Sequence, residues 1–492
     1  MVRAVQLSCV DKSNLSAGLP PTIWYMGAKT RVLNDFLDRV LLGEVPRGAT
    51  VLDLFSGTGV VSAFCARHFR IHSNDSQRFA QVIAQSFTEH RRQDRSAFLK
   101  SLDWDKDLAA AFAKNRATLE ELYAPALEEE ARHLESLWGK SDEDKSRRAR
   151  RDPDRVAAIE SYREFLSQPG AVYGETGKAS GFYRKARSLL SERSILAHRR
   201  ERFRSPFCLV TTYYSNCYFG VRQAIELDSI RAAIESIDEK DERFAEKKKT
   251  HYLSALMHVA SVSTSGTSHF AQPRHFRKDS EIEAMARRRQ IDIVSTFLDA
   301  STAIQGVVRA TSYRAGNRAV CSDYKDLIQE GESGPVFRDD VRADLVYMDP
   351  PYTQDNYSRF YHVLETLCEY DYPELERDSD GKILRGRYPV REKRFISGFC
   401  SVRGVEKEFE TCIQASANSG SGLVISYGSP DGLLLKTFAA RRPGKDPVRL
   451  FETLCRKYYR KVQTQRRTIL HSGQGDRNKE TEELLVVCAR PR

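Results

Sequence analysis

At residues 349–352 the chain reads Asp-Pro-Pro-Tyr, directly after the apolar run LVYM. Pro350 and Pro351 each hold φ near about −65° and remove a backbone donor, which leaves the carbonyls there open as acceptors. The Asp349 carboxylate is a second acceptor beside them, and Tyr352 offers the face of an aromatic ring. Acceptors converging next to a ring suit a flat ligand that carries an NH₂ group. Such an amine is a poor nucleophile, because its lone pair is delocalised into the ring. Hydrogen bonds to the Asp349 carboxylate and the Pro350 carbonyl would draw the nitrogen toward tetrahedral geometry and localise that pair. The amine can then attack a carbon electrophile. A plain Asp-Pro-Pro turn with a packed tyrosine has the same four letters and no chemistry.

A second cluster lies upstream. The run ATVLDLF, 49–55, leads into SGTG and the amphipathic VVSAFCARHF, which reads as strand, glycine turn and helix. FRIHSND then predicts a second strand ending at Asp75, followed by a helix over SQRFAQVIAQSFTEH. The glycines of the turn are Gly57 and Gly59. A dinucleotide fingerprint needs a third at 62, where Ser62 stands. GAKT at 27–30 lacks the Gly-Lys pair of a phosphate loop. Phosphate cradling is therefore not the expected use of the turn. Asp75 follows Asp53 by 22 residues, at the tip of the next strand, where an acid can accept both hydroxyls of a ribose. A nucleoside without a pyrophosphate fits this pattern. An ordinary β-α turn is the simpler alternative.

Stepping outward from these clusters, strand signals return in NRAVCSDY, SGLVISYGS and the terminal pair VQTQRRTIL and EELLVVCAR. Between about 91 and 310 the chain is long, charged and helical by pattern, with no regular repeat. An unstructured connection of that length is rare, so the segment is expected to be a domain of its own. The 492 residues, 40% hydrophobic, are ample for a packed core, and the net charge of +11 favours a polyanionic partner. Two basic runs are candidates for phosphate contacts. Residues 182–204 carry eight Arg or Lys against two acids, among them Arg184, Lys185, Arg187, Arg199 and Arg200. Residues 382–395 carry six against one, including Arg387, Arg391 and Lys393. A solvated face gives the same composition.

Other signals weigh less. The aromatic run 211–225 can stack bases, although core packing is the favoured reading. HFAQPRHFR, 269–277, is a candidate DNA-facing loop. His68 and His72 straddle a helix end and a strand, so no shared metal site is expected. Glu246-Lys247-Lys248 sits in a charged run where such triplets arise by chance. The ten cysteines form no C-x-x-C pair, which fits a reducing compartment. With no apolar signal segment and no apolar run of spanning length, a cytoplasmic, nucleoid-associated protein without a membrane is expected.

Taken in order, DLFSGTG, SND, CSDY and DPPY, preceded by YMGAK at 25–29, resemble the S-adenosylmethionine-dependent DNA N6-adenine methyltransferases of the DNA adenine methylase (D12) class. The resemblance covers roughly residues 22–90 and 315–490. It implies an α/β Rossmann-like methyltransferase sheet, mostly parallel with an antiparallel C-terminal strand and interrupted by a large, mainly helical insertion. The catalytic domain would comprise 1–90 and 311–492, and the insertion, 91–310, would recognise the DNA target. S-adenosyl-L-methionine would be the cofactor. Tyr25, Gly27 and Lys29 would lie near its methionine end, and Asp53, Phe55, Gly57 and Gly59 around its amino-acid portion. Asp75 would hold the ribose, Asp323 would accept from the adenine, and Tyr324 would lie against that ring. Asp349, Pro350, Pro351 and Tyr352 would activate the N6 amine of an adenine flipped out of double-stranded DNA. The setting implied is restriction-modification or phage defence, with a restriction or defence-system protein as candidate partner. An N4-cytosine enzyme shares the amine chemistry, and so does an RNA enzyme; the acid at 349 favours adenine. A different class is a non-catalytic DNA-binding subunit that keeps the methyltransferase shell.

Overall fold

The structure is a computed structural model that describes residues 20, 23, 29, 33, 37–45, 48–89, 94–138, 153–167, 192–266, 269–274, 277–311, 316–472 and 478–491. The chain divides into two compact units. One comprises the described residues within 11–101, 302–358 and 395–492, the other those within 102–301 and 359–394.

The first unit is built on a sheet of seven strands. In chain order the strands are β1 (Thr50–Asp53), β2 (Arg70–Asp75), β3 (Arg318–Cys321), β4 (Ile328–Gly331), β5 (Gly334–Phe337), β6 (Leu345–Met348), β7 (Gly422–Ser429), β8 (Tyr459–Ser472) and β9 (Asn478–Pro491). The large sheet runs β3-β2-β1-β6-β7-β9-β8, and β4 and β5 form a separate antiparallel hairpin. Pairing is parallel from β3 to β7, and β9 is antiparallel to both of its neighbours. This is the mostly parallel α/β sheet with an antiparallel C-terminal strand that the motifs imply.

All four residues of β1 and of β6 are buried, as expected of strands covered on both faces. One apolar layer places Leu52, Val346, Met348 and Ile425 among Phe409, Phe438 and Phe451. The other sets Val51, Ile71, Val424 and Leu485 against Val61, Phe64 and Cys65. Helices α1 (Asp38–Glu44) and α2 (Val60–His68) contribute to that second layer, and α3 (Arg78–Thr88) follows β2. Register then decides where the chemistry sits. Asp53 pairs with Ser73 on one side and Tyr347 on the other, and Asp75 pairs with Cys321. The motifs DLFSGTG, SND, CSDY and DPPY consequently leave the sheet at one edge, the carboxyl ends of adjacent parallel strands. The connections from β1 and β6 diverge there, which is where open α/β sheets bind ligands.

The second unit is mainly helical. Its helices include Lys106–Leu122, Ala124–Trp138, Pro153–Leu166, Val221–Glu235 and Glu242–Ser263. Asp228, fully buried, accepts hydrogen bonds from the amides of Val210 and Thr211, the Thr211 hydroxyl and the Tyr370 hydroxyl at 2.6–2.9 Å. Those bonds tie residues 359–394 into this unit, although they fall within the 311–492 span of the expected catalytic part. Tyr213, Tyr214, Tyr218 and Phe219 of the aromatic run are core residues. Lys248 pairs with Glu239 at 2.8 Å, an ordinary ion pair. Nine cysteines lie among the described residues as thiols outside any disulfide. No group of metal-ligating side chains, and no single helix long and apolar enough to cross a membrane, occurs among them.

Candidate active site and ligand cleft

A cleft opens along the strand tips of the first unit, with about 960 Å³ of space that includes open solvent at its mouth. Its glycine turn is required by geometry. Gly57 and Gly59 adopt φ of +49° and +71°, the left-handed region. A Cβ on Gly59 would stand 2.7 Å from Cζ of Phe87 on α3, so the position demands glycine for close approach as well as for φ.

The floor carries polar atoms with no partner of their own. Asp53 accepts from the Ser62 hydroxyl at 2.6 Å through one oxygen, and Ser62 in turn accepts from the Ser73 hydroxyl at 2.8 Å. Ser62 is the residue that breaks the dinucleotide fingerprint; here it fixes the Asp53 carboxylate. The other Asp53 oxygen, Ser56 Oγ, Asn74 Oδ1 and Gln77 Nε2 are buried without a hydrogen-bond partner in the cleft wall. Buried polar atoms are costly unless satisfied, so four on one wall mark a polar ligand's place. Asp75 is held by the amides of Gly57 at 2.9 Å and Gln77 at 3.0 Å. Phe55 and Tyr324 also line the cleft, with ring centroids 5.6 Å apart, and are backed by the buried ring of Phe399 at 5.2–5.3 Å. The Tyr324 hydroxyl donates to Glu408, and Asp323 accepts from the Lys325 amide at 3.1 Å while lining the cleft.

At the other end stands Asp349, 18% exposed and open to the cleft. The Lys29 ammonium lies 2.8 Å from its carboxylate and 3.5 Å from that of Glu483. Lys29 also donates to the Tyr352 hydroxyl and sits 4.7 Å from the centre of that ring. The Tyr352 hydroxyl is 2.7 Å from Asp349 and 2.9 Å from Glu483; with one proton it serves one of them at a time. The ring packs edge-on against Tyr427 at 5.1 Å. Asp349 is therefore aimed by two neighbours, Lys29 and Tyr352, before any ligand arrives.

The electrostatics of the cleft oppose those of the whole chain. Four aspartates, Asp53, Asp75, Asp323 and Asp349, line it against Lys29 as the one Lys or Arg among its described lining residues. Burial pushes Asp53 up to about 7 and Asp75 and Asp349 up to about 6, with Lys29 pulling Asp349 the other way. A carboxyl raised in the folded state costs stability once it ionises, a cost absent below about pH 4 and complete above its folded value. Asp53→Asn is accordingly expected to be more stable than the native protein at pH 8, by about 2 kcal/mol, with the difference vanishing by about pH 4. Urea titrations at both values check this, since buried histidines titrate in both proteins and cancel.

Of the sequence candidates, Lys29, Asp53, Phe55, Gly57, Asp75, Asp323, Tyr324, Asp349, Pro350, Pro351 and Tyr352 line this one cleft, with Gly59 directly behind it. Tyr25, Gly27, Arg184, Lys185 and Arg187 lie outside the described residues. In the helical unit, Arg199 and Arg200 are exposed, and Arg199 also donates to the Tyr372 carbonyl at 2.6 Å. Arg391 and Lys393 are exposed on a short 3₁₀ turn. Arg387 departs from the expectation. It is 1% exposed at φ +52°, so the backbone turns its side chain inward, away from any phosphate. Glu483 and Ser426, whose hydroxyl donates to Glu483, were not candidates at all. Their only sequence signal is an acid opening the apolar run ELLVV.

Residues 325–384, which include DPPY, match the family described as D12 class N6 adenine-specific DNA methyltransferase. Modification methylase LlaI of Lactococcus lactis subsp. lactis is 24% identical over 387 residues, 78% of this chain and 43% of that protein. Type II methyltransferase M.FokI of Planomicrobium okeanokoites is 26% identical over 228 residues, 45% of this chain and 29% of that protein. Modification methylase StsI of Streptococcus sanguinis is 25% identical over 189 residues, 37% and 24% of the two chains. The chain spans less than half the length of each of these relatives. No solved structure matches it. By its motifs and these matches, the chain is similar to the D12 class N6 adenine-specific DNA methyltransferases.

Proposed function

We propose that this protein transfers a methyl group from S-adenosyl-L-methionine to the N6 amine of an adenine flipped out of double-stranded DNA. The observation that carries the reading is the shared cleft. Asp349, held by Lys29 and Tyr352, opens into the same acidic space as the unpartnered atoms of Asp53, Ser56, Asn74 and Gln77. Four carboxylates against one ammonium disfavour a pyrophosphate and suit a nucleoside that carries positive charge. The residues fit that cofactor: Asp53, Ser56 and Gln77 offer partners to its amino-acid portion, Asp75 to a ribose, and the Phe55 and Tyr324 rings an apolar face to its adenine.

When bound, the cofactor supplies an electrophilic methyl on a sulfonium, and the sulfur takes back the electron pair of the breaking bond as the amine's lone pair forms the new one. Asp349 and the Pro350 carbonyl accept the two amine hydrogens and localise that lone pair, while Lys29 and Tyr352 keep the carboxylate aimed. The alkylated nitrogen then sheds one proton readily, so no strong base is required. Positioning and preorganised acceptors supply the rate. Adenine in a duplex is out of reach of such a cleft, and flipping costs roughly a few kcal/mol, recovered by stacking and phosphate contacts. Exposed Arg199, Arg200, Arg391 and Lys393 are the proposed phosphate contacts. The relatives' names as modification methylases support a role in restriction-modification, with a cognate endonuclease as partner.

Calorimetric titration tests the cofactor. The sulfonium nucleoside is expected to bind, and NAD or ATP to show no heat; the reverse order would defeat the reading. Asp349 must be ionised to accept, and its carboxyl titrates near 6 in the empty protein, so kcat/KM is expected to fall as pH drops through about 6. Replacing Arg391 and Lys393 together by Ala should weaken DNA binding uniformly across sequences. It should also reduce the slope of log K against log salt by about 2.

A further inference from the structure

Glu483 belongs to no motif, yet it is only 3% exposed and sits at the centre of the Lys29 cluster. It enters on β9, the antiparallel strand, opposite Gly428 of β7. Its carboxylate lies 3.5 Å from the Lys29 ammonium and 2.9 Å from the Tyr352 hydroxyl, and it accepts from Ser426. A lysine facing Asp349 alone would make a neutral pair. With Glu483 the cluster has one ammonium and two carboxylates, a net charge of −1. A buried excess charge is expensive unless something compensates it. Among the described residues Lys29 is the one cation lining the cleft, and a positively charged ligand there would supply the compensation.

We propose that Glu483 is a positioning residue that makes this centre selective for a cationic sulfonium over the neutral thioether left after methyl transfer. The inference rests on the proposed function, because it assigns the missing positive charge to the cofactor. It adds a consequence that the DPPY residues do not carry. As the methyl group moves, positive charge passes from the sulfur to the amine nitrogen and leaves with its proton. The centre then regains its uncompensated charge and holds the thioether less well, which favours product release. Ser426 and the Tyr352 hydroxyl keep the Glu483 charge beside Lys29 rather than in solvent.

The test is the ratio of dissociation constants for S-adenosylmethionine and its demethylated thioether, measured by calorimetry on the full chain. The native protein is expected to prefer the sulfonium by about tenfold, and Glu483→Gln, which keeps the shape and removes the charge, to bring the ratio close to one. A purely structural role would weaken both ligands alike and leave the ratio unchanged. The double variant Lys29→Met with Glu483→Gln restores the net charge of −1 through Asp349 and is expected to recover the native preference. It also keeps the question answerable if the single variant folds poorly. An unchanged ratio in Glu483→Gln, or no recovery in the double variant, overturns the role of Glu483 while methyl transfer stands. Absence of sulfonium binding by the native protein would instead overturn the cofactor reading beneath it.

Discussion

Asp349→Ala is expected to lower kcat for methyl transfer by about 10³-fold or more, while the melting transition stays close to native and loss of one carboxylate charge weakens sulfonium binding by no more than about tenfold. In the proposed mechanism the side chain is the acceptor that localises the amine's lone pair, and no neighbour replaces it. Glu483 sits behind Lys29 and Tyr352, without a place among the residues lining the cleft. Removal also leaves Lys29 with a carboxylate partner, so no buried charge is stranded and folding should survive. Single-turnover kinetics separates loss of chemistry from loss of binding. Near-native turnover in this variant would show that the DPPY acid does not activate the amine.

Lys29→Met acts on the same cluster from the opposite side, and its largest effect is on stability. It leaves Asp349 and Glu483 buried together with a single tyrosine proton between them. Breaking a buried ion pair from one side leaves uncompensated charge, and with Asp349 partly open to the cleft the cost is expected to be about 2–3 kcal/mol at pH 7.5. The pH dependence should move with it. Lys29 is the group that pulls Asp349 down against burial, so without it the carboxyl rises and the acid limb of kcat/KM shifts above its native position near 6. Denaturant titrations and pH–rate profiles read the two effects separately. A limb that stays in place would mean that Lys29 does not set the state of Asp349.

How much of this was legible in the sequence follows from what each residue's position depends on. β1 and β6 are short apolar runs leading to acids, the trace that buried parallel strands leave, and the mixed run RIHSND of β2 also ends at one; their tips therefore place Asp53, Asp75 and Asp349 from sequence alone. The glycine turn was equally visible, because only glycine accepts the φ of +71° at position 59 so close to Phe87. Glu483 was not visible. It reaches Tyr352 across 131 residues, through the register of an antiparallel strand that only the assembled sheet fixes. Arg387 shows the converse failure, since charge in a basic run says nothing about a backbone that turns one arginine inward. Ser62 was read as the absence of a glycine, whereas its hydroxyl is what fixes Asp53. Residues 359–394 follow β6 and DPPY in sequence but pack with the helical unit, where Tyr370 bonds Asp228.

The most direct measurement is to incubate the purified protein with methyl-labelled S-adenosylmethionine and unmethylated duplex DNA, digest the DNA to nucleosides and identify the labelled base by mass spectrometry. Label in N6-methyladenine, lost in Asp349→Ala, is the predicted result. Label in N4-methylcytosine would contradict the base assignment, and no labelled base in a protein shown to bind the cofactor would contradict the claim that this cleft methylates DNA.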